Sequence, residues 1–320
     1  MSKRYHSIDI AESEIVADLR KKNNRPLVIA CSGPSVAEVD YYRIPGNPVI
    51  FRMNLFFLEQ DYLFGKHVDA YFWAVYREVI QDELYDLIID KKYNVENYFY
   101  PMKLVDENRS HRLEIDKIHE KIFQPAYDHW NLMSTVPEIA RIMMVRPIPT
   151  VGLQALATGL ILGFKEIYII GMDFYQSTDK RYGYEIPDRI KSKTSPMHFK
   201  VGYEQKAHSF ENDTYVFSVL QRLFPEVKIY SLAPRSYLSE LTGLSPLREK
   251  ENNLFVKKNI IGTSRKESRP INENIILKSK GLKKKIIPFI YALLSIFAKY
   301  KFGRKVLIQL KHDVFGKLEL

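Results

Sequence analysis

The strongest constraint on how this chain folds is a five-residue apolar run, Leu27-Val-Ile-Ala-Cys31, closed in front by Pro26 and behind by Ser32-Gly33-Pro34-Ser35. A run so short and so uniformly apolar suits a strand buried on both faces, and the Gly-Pro segment after it suits a turn. Val36 to Tyr41 fits a short helical turn. Val49-Ile-Phe-Arg52 and Ala70 to Val75 read as further strands, and Glu78 to Asp90, apolar at Val79, Ile80, Leu84, Leu87 and Ile88, reads as a helix. Farther on, Gly152 to Leu162 reads as an apolar helix ended by Gly163. Glu166-Ile-Tyr-Ile-Ile-Gly171 reads as a strand opening into Met172-Asp173-Phe174-Tyr175. Thr214 to Phe224, Val227 to Ser231 and Tyr237 to Leu244 follow as helix, strand and helix. Alternation of this kind predicts an α/β fold with a parallel sheet flanked by helices.

Three segments stand apart. Ahead of the first strand, Ile8, Ile15 and Leu19 allow one weakly amphipathic helix packed on the domain. Residues 94 to 145 carry mostly helical periodicity. Residues 176 to 207 are polar, lysine-rich and nearly aperiodic, and a stretch of that length inside a compact domain is either functional, often a lid, or disordered.

Charge divides the chain. The net charge is +10, and residues 265 to 320 hold fourteen Lys or Arg against four Asp or Glu, so residues 1 to 264 are neutral. A basic groove for nucleic acid should lie on the folded body, so nucleic acid is not an expected partner. Within the tail, Lys278-Ser-Lys-Gly-Leu-Lys-Lys-Lys285 precedes Ile286 to Ala298, thirteen uncharged, mostly apolar residues, and Lys299-Tyr-Lys-Phe-Gly-Arg-Lys305 follows. That centre is shorter than the about twenty residues that span a bilayer. Basic flanks around it suit an amphipathic helix lying in an anionic leaflet; the alternative is a helix packed on the body or a partner. The expected division is therefore 1–246 as the catalytic domain, with its lid at about 176–207, and 247–320 as a membrane-association segment. Cys31 is the sole cysteine, so no intrachain disulfide forms, and the first residues lack the apolar run of a secretory signal.

The chain contains no Gly-x-Gly-x-x-Gly, Walker loop, Gly-x-Ser-x-Gly, His-Glu-x-x-His or Asp-x-Asp. These absences argue against a simple dinucleotide oxidoreductase, a P-loop phosphotransferase, an α/β hydrolase, a zincin and the usual carboxylate pair that holds a metal on a nucleotide diphosphate. The strand ends are the candidate positions, because open α/β sheets bind their ligands there. They supply Ser32 and Gly33 at the first corner, Asn54 at the second, and Asp173 and Tyr175 after the Glu166 strand. Taken alone, Tyr175 reads equally as a core aromatic, His208 as a solvated histidine and Cys31 as a buried apolar thiol.

Several blocks, in order, carry a resemblance. Val28-Ile-Ala-Cys-Ser-Gly-Pro-Ser35, Phe51-Arg-Met-Asn-Leu-Phe56, Leu162-Gly-Phe-Lys-Glu-Ile-Tyr-Ile-Ile-Gly-Met-Asp-Phe-Tyr-Gln176, Ala207-His-Ser209 and Lys228-Ile-Tyr-Ser-Leu-Ala-Pro234 together resemble the bacterial lipooligosaccharide sialyltransferases of glycosyltransferase family 42. The resemblance spans about residues 26 to 244. It implies a Rossmann-like nucleotide-binding domain, a GT-A-like variant with a flexible lid. It also implies inverting transfer from CMP-sialic acid to a terminal galactoside of lipooligosaccharide, with no cofactor and no metal. His208 matches the family's general base, a task suited to imidazole, whose ordinary pKa lies near working pH. Tyr175 and Tyr182 match two phenols that donate to the departing phosphate, with Tyr184 as the alternative to Tyr182. Ser32 stands where the family usually has asparagine, and Asn54 matches a second asparagine of the nucleotide pocket. Gly33, Gly171 and Asp173 fall on the nucleotide side, Asp173 as a ribose contact or loop brace. Thr150 and Gly152 fall in a Thr-Ser-Gly turn whose serine is Val151 here. Arg146 lies two residues ahead of Ile148, the position of the family's arginine.

Further partners expected are an oligosaccharide acceptor, an anionic membrane surface and a second copy of the chain in a homo-oligomer, at the cytoplasmic face of a bacterial inner membrane. Two other readings stay open: transfer of a different CMP-activated acidic sugar, and an inactive nucleotide-binding membrane adaptor.

Overall fold

The computed structural model describes residues 14–59, 62–73, 84, 87, 88, 90–100, 126–145, 147–176, 180–191 and 208–250. The chain divides into two compact units, Met1–Val105 with Ile118–Arg265, and Asp106–Lys117 with Lys266–Leu320; every described residue belongs to the first. The basic tail beyond residue 250, the expected helix at 78–90 except for Leu84, Leu87, Ile88 and Asp90, and Arg146 lie outside the described residues.

Among the described residues, seven parallel strands make one sheet: β1 (Leu27–Ala30), β2 (Val49–Met53), β3 (His67–Phe72), β4 (Asn94–Tyr100), β5 (Ala126–Asp128), β6 (Glu166–Ile170) and β7 (Lys228–Ser231), in the order β5-β4-β3-β2-β1-β6-β7. β1 lies inside the sheet, in register with β2 (Leu27 opposite Val49) and with β6 (Leu27 opposite Ile167). All four of its residues are fully buried, which is why it is apolar throughout instead of alternating. Leu27, Ile29, Phe51, Ile167 and Ile169 face one core, shared with the buried Val151–Ile161 helix. Val28, Ala30, Ile50, Tyr168 and Ile170 face a second core, with Val36, Tyr41 and Ile44.

The order of strands locates the site. From β1 the chain builds outward through β5, then returns to lay β6 on the other side of β1. The sheet therefore changes winding direction between β1 and β6, and at such a switch point the loops beyond the carboxyl ends diverge and leave a crevice.

Two strands in the 94–145 region depart from the helical expectation. β4 contains Asn94, Glu96 and Asn97, yet Asn97 is buried because its amide donates to the Asp69 carbonyl at 2.9 Å, so a polar residue is accommodated inside the sheet. β5 has only three residues. β3 begins at His67, three residues ahead of the expected run. Beneath the second corner, Arg52 and Glu59 form a fully buried ion pair (Nη2 to Oε2, 2.6 Å), and the Tyr93 hydroxyl donates to Glu59 at 3.0 Å. The Arg52 guanidinium lies over the rings of Phe56 and Phe64. At the amino ends of the strands, His67, Asp69 and Glu96 cluster with potential metal-ligand atoms within 4.8 Å of one another. The Lys22 ammonium already pairs with Asp69 (3.2 Å) and Glu96 (2.6 Å) there.

Candidate active site

The first corner is built by close backbone approach. Gly33 N–H donates to the Gly171 carbonyl (2.9 Å), and Cys31 N–H to that of Ile170 (2.9 Å). A methyl group on Gly33 would fall 2.5 Å from both the Gly171 carbonyl oxygen and Asp173 Oδ2, so only glycine lets the β1 and β6 loops touch. Asp173 accepts from Ser35 N–H at 2.9 Å, and the Ser35 hydroxyl accepts from Gly171 N–H at 3.0 Å. Asp173 Oδ2 thus ties the loop after β6 to the first corner, the geometry of a loop brace. Burial raises its pKa above the ordinary carboxylate value, and the two Ser35 contacts oppose that shift. Cys31 lies at the floor of the corner, where burial and then Asp173 push its thiol pKa far up, which fits a packing residue and not a nucleophile.

Of the expected lid, residues 180–191 lie at this corner, and 177–179 and 192–207 lie outside the described residues. Residues 180–191 follow a defined path: Gly183 N–H donates to the Ser32 carbonyl at 3.1 Å, a short helix spans Asp188–Lys191, and Tyr182 and Tyr184 lie ring to ring at 5.9 Å. Tyr182, with the Arg181 guanidinium over its ring, immediately precedes the Gly183 N–H that is bonded to Ser32. Tyr184 is buried deeper, next to Ser32, with its hydroxyl pKa pushed far up by burial. At the second corner Asn54 adopts φ 47°, its N–H donates to the Phe72 carbonyl, and its own carbonyl accepts from the Tyr71 hydroxyl. Ser32 Oγ lies 3.5 Å from the Met53 carbonyl, which joins the first two corners.

The β6 corner carries the strain. Phe174 and Tyr175 are consecutive residues in the left-handed region, φ 47° and 62°, a conformation costly for side chains of this size. Phe174 is anchored in the core, edge-on to Phe217 and Tyr237, and this turns Tyr175 outward, half-buried. The Tyr175 hydroxyl reaches Asp213 Oδ2 at 3.1 Å, and its ring lies parallel (7°) to the His208 imidazole with centroids 6.2 Å apart.

His208 and Asp213 flank the start of the Phe210–Leu223 helix, capped by Ser209 Oγ accepting from Asn212 N–H. That start is latched to the segment before the Val151–Ile161 helix: Asn212 donates to the Pro147 carbonyl (2.7 Å), and His208 Nδ1 lies 2.7 Å from the Ile148 carbonyl. A carbonyl only accepts, so Nδ1 carries the hydrogen and Nε2 is the basic nitrogen. Thr150 is the N-cap of the Val151–Ile161 helix, and Gly152 lies in its first turn against Cys31 and Met172. First-turn N–H groups have no acceptor within their own helix, so this end favours an anion.

The structure therefore gathers nine of the expected residues into two adjoining groups, with Asn54 at the second corner. Ser32, Gly33, Gly171, Asp173 and Tyr182 surround the β1 corner; Tyr175, His208, Thr150 and Gly152 surround the helix starts. Asp213 joins the second group unforeseen. Its signal was in the sequence: Asp213, Val216, Phe217 and Leu220 fall on one helical stripe, so the aspartate interrupts a buried face. Burial pushes its carboxyl up to about 7, against contacts from Tyr175 and Thr150 that favour the charged form.

Comparison with known proteins matches this geometry to a family. Residues 25–311 match the family model described as alpha-2,3-sialyltransferase (CST-I). Among solved structures, the sialyltransferase CST-II in complex with trisaccharide acceptor and CMP is 25% identical, with TM-score 0.58 over 73% of this chain and 91% of that one. The monofunctional alpha-2,3-sialyltransferase Cst-I from Campylobacter jejuni is 25% identical, with TM-score 0.58 over 79% and 96%. An uncharacterized protein of Haemophilus influenzae is 25% identical over 190 residues, 59% of this chain and 71% of that one. With its match extending from the first strand into the basic tail, this chain is a glycosyltransferase of the CST-I alpha-2,3-sialyltransferase family.

Proposed function

We propose that the protein transfers sialic acid from CMP-sialic acid to a terminal galactoside of lipooligosaccharide with inversion, His208 acting as general base. The observation that carries this is the 2.7 Å contact from His208 Nδ1 to the Ile148 carbonyl, which presents Nε2 as a proton acceptor beside Tyr175. In the reaction, the acceptor hydroxyl loses its proton to Nε2 as its oxygen attacks the anomeric carbon, and the bond to CMP breaks on the opposite face. Charge gathers on the departing phosphate. Tyr175, Tyr182 and the N–H groups at the start of the Val151–Ile161 helix supply hydrogen bonds there, so no metal is required. Docking of residues 180–191 over the first corner supports a lid that excludes water, the competing nucleophile. CMP complexes of CST-II and its trisaccharide acceptor complex support donor and acceptor of this class.

The test is CMP release from CMP-sialic acid. His208→Ala and Tyr175→Phe should each abolish it, and release that is unchanged in both variants overturns the assignment. Failure of the parent enzyme to release CMP from CMP-sialic acid, with release from another CMP-sugar, would favour a different acidic donor.

We further propose that the tail holds the enzyme peripherally at the cytoplasmic face of the inner membrane, on the strength of its basic flanks and thirteen-residue apolar centre. Removing residues 265–320 should abolish binding to anionic vesicles, and unchanged binding defeats the proposal. A homo-oligomer remains part of the same proposal, checked by sedimentation of the full chain.

A further inference from the structure

The Tyr175 hydroxyl has one proton, and it donates that proton to Asp213 Oδ2 at 3.1 Å. Transfer asks for the same proton at the departing phosphate. Were Tyr175 simply to swing away, Asp213 would remain a buried anion stripped of that bond and facing a second negative charge. A neutral Asp213 avoids this, because its own O–H can donate to the phenol oxygen while the phenol O–H turns to the phosphate. We propose that Asp213 is a positioning residue that takes up one proton when the donor binds, reversing its hydrogen bond with Tyr175 and so handing the phenol proton to the donor phosphate. One proton passes from solvent to the Asp213 carboxylate, and no covalent bond to substrate is made or broken in the step.

The surroundings suit such uptake. Asp213 is 1% exposed, and its Oδ1 closes no hydrogen bond of normal geometry, although Thr150 lies near enough to favour the charged form. From the loop after β6 it meets Tyr175, while Asp173 on that loop is turned to Ser35. On its own helix and the residues leading into it are His208, bonded to the Ile148 carbonyl, and Glu211, exposed to solvent. The Val151–Ile161 helix brings no ionisable side chain, and on the Pro137–Met143 helix Glu138 and Arg141 pair with each other at the surface. No described cation stands ready to hold Asp213 charged, its carboxyl is already pushed up to about 7 by burial, and an arriving phosphate moves it further the same way.

The inference rests on the sialyltransferase reading, and the experiment separates the two. The full chain is titrated calorimetrically with CMP-3FNeuAc, whose phosphodiester carries one fixed charge, in buffers of different ionisation enthalpy at pH 7.5. The expected result is uptake of roughly half a proton or more, with affinity falling by up to about tenfold per pH unit above pH 8. Asp213→Asn, whose amide donates to the phenol as the neutral acid would, should bind with no uptake attributable to this site and keep kcat within about threefold. Asp213→Ala should lose about tenfold or more in kcat. Uptake should survive His208→Ala. Uptake that persists in Asp213→Asn, or vanishes in His208→Ala, overturns the inference and leaves the function intact. Analogue that fails to bind the parent enzyme overturns the function itself.

Discussion

Gly183→Ala tests whether the lid works by contact with the first corner. The backbone of Gly183 lies outside the left-handed region, so alanine is conformationally admissible and any penalty comes from packing. Its new methyl group would fall 2.3 Å from Val36 Cγ1 and 3.0 and 3.1 Å from the Gly33 and Pro34 carbonyl oxygens. Ordinary contact begins more than 1 Å farther out than the Val36 approach, and Val36 is itself fully buried in the second core. Overpacking of this kind costs about 1–3 kcal/mol, and lifting the segment loses the Gly183 to Ser32 hydrogen bond, about 0.5–1.5 kcal/mol more. Undocking of residues 180–187 relieves the clash while the sheet stays folded. The cost should therefore appear in CMP release, lowered roughly ten- to a thousandfold at about 1.4 kcal/mol per tenfold, with the urea midpoint nearly unchanged. Val36→Ala removes the nearest atom and should recover part of the rate in the double variant. Parental turnover in Gly183→Ala would show that this contact is not needed for CMP release, and a loss expressed only as a lower unfolding midpoint would show that it serves the fold alone.

Glu59→Gln should destabilise the fold by about 3–5 kcal/mol in urea denaturation, because it leaves the Arg52 guanidinium charged and fully buried; replacing both partners together, Arg52→Met with Glu59→Leu, should cost much less. His129 should make the protein acid-sensitive. Burial holds its imidazole pKa down to about 4, so between about pH 6.5 and 4 the unfolded chain binds a proton that the folded one does not, and stability falls as pH drops, by up to about 3 kcal/mol. Thermal unfolding across that range should show the slope in the parent and a flatter one in His129→Leu.

The sheet was legible where burial on both faces forces continuous apolar runs. β1, β2, β6 and β7 and the Val151–Ile161 helix all appear within a few residues of their expected positions. β4 was hidden because its buried Asn97 is made acceptable by a carbonyl on the neighbouring strand, a partner that local periodicity does not reveal. The site divides in the same way. Tyr175 and Asp173 were singled out by block position and the strand-end rule, and His208 by block position alone, whereas the strained φ at Phe174 and Tyr175 and the latch of Asn212 onto the Pro147 carbonyl depend on which loops the topology brings together. Asp213 was missed because an acidic residue in the first turns of a helix ordinarily serves the helix dipole at the surface, and only tertiary packing turns this one beneath Tyr175.

Inverting transfer with His208 as base is tested by following transfer from CMP-sialic acid to a galactoside by NMR and reading the anomeric configuration of the first-formed product. Inversion, with transfer lost in His208→Ala, is the predicted result. Retention, or inverting transfer at the parental rate without the His208 imidazole, would contradict it.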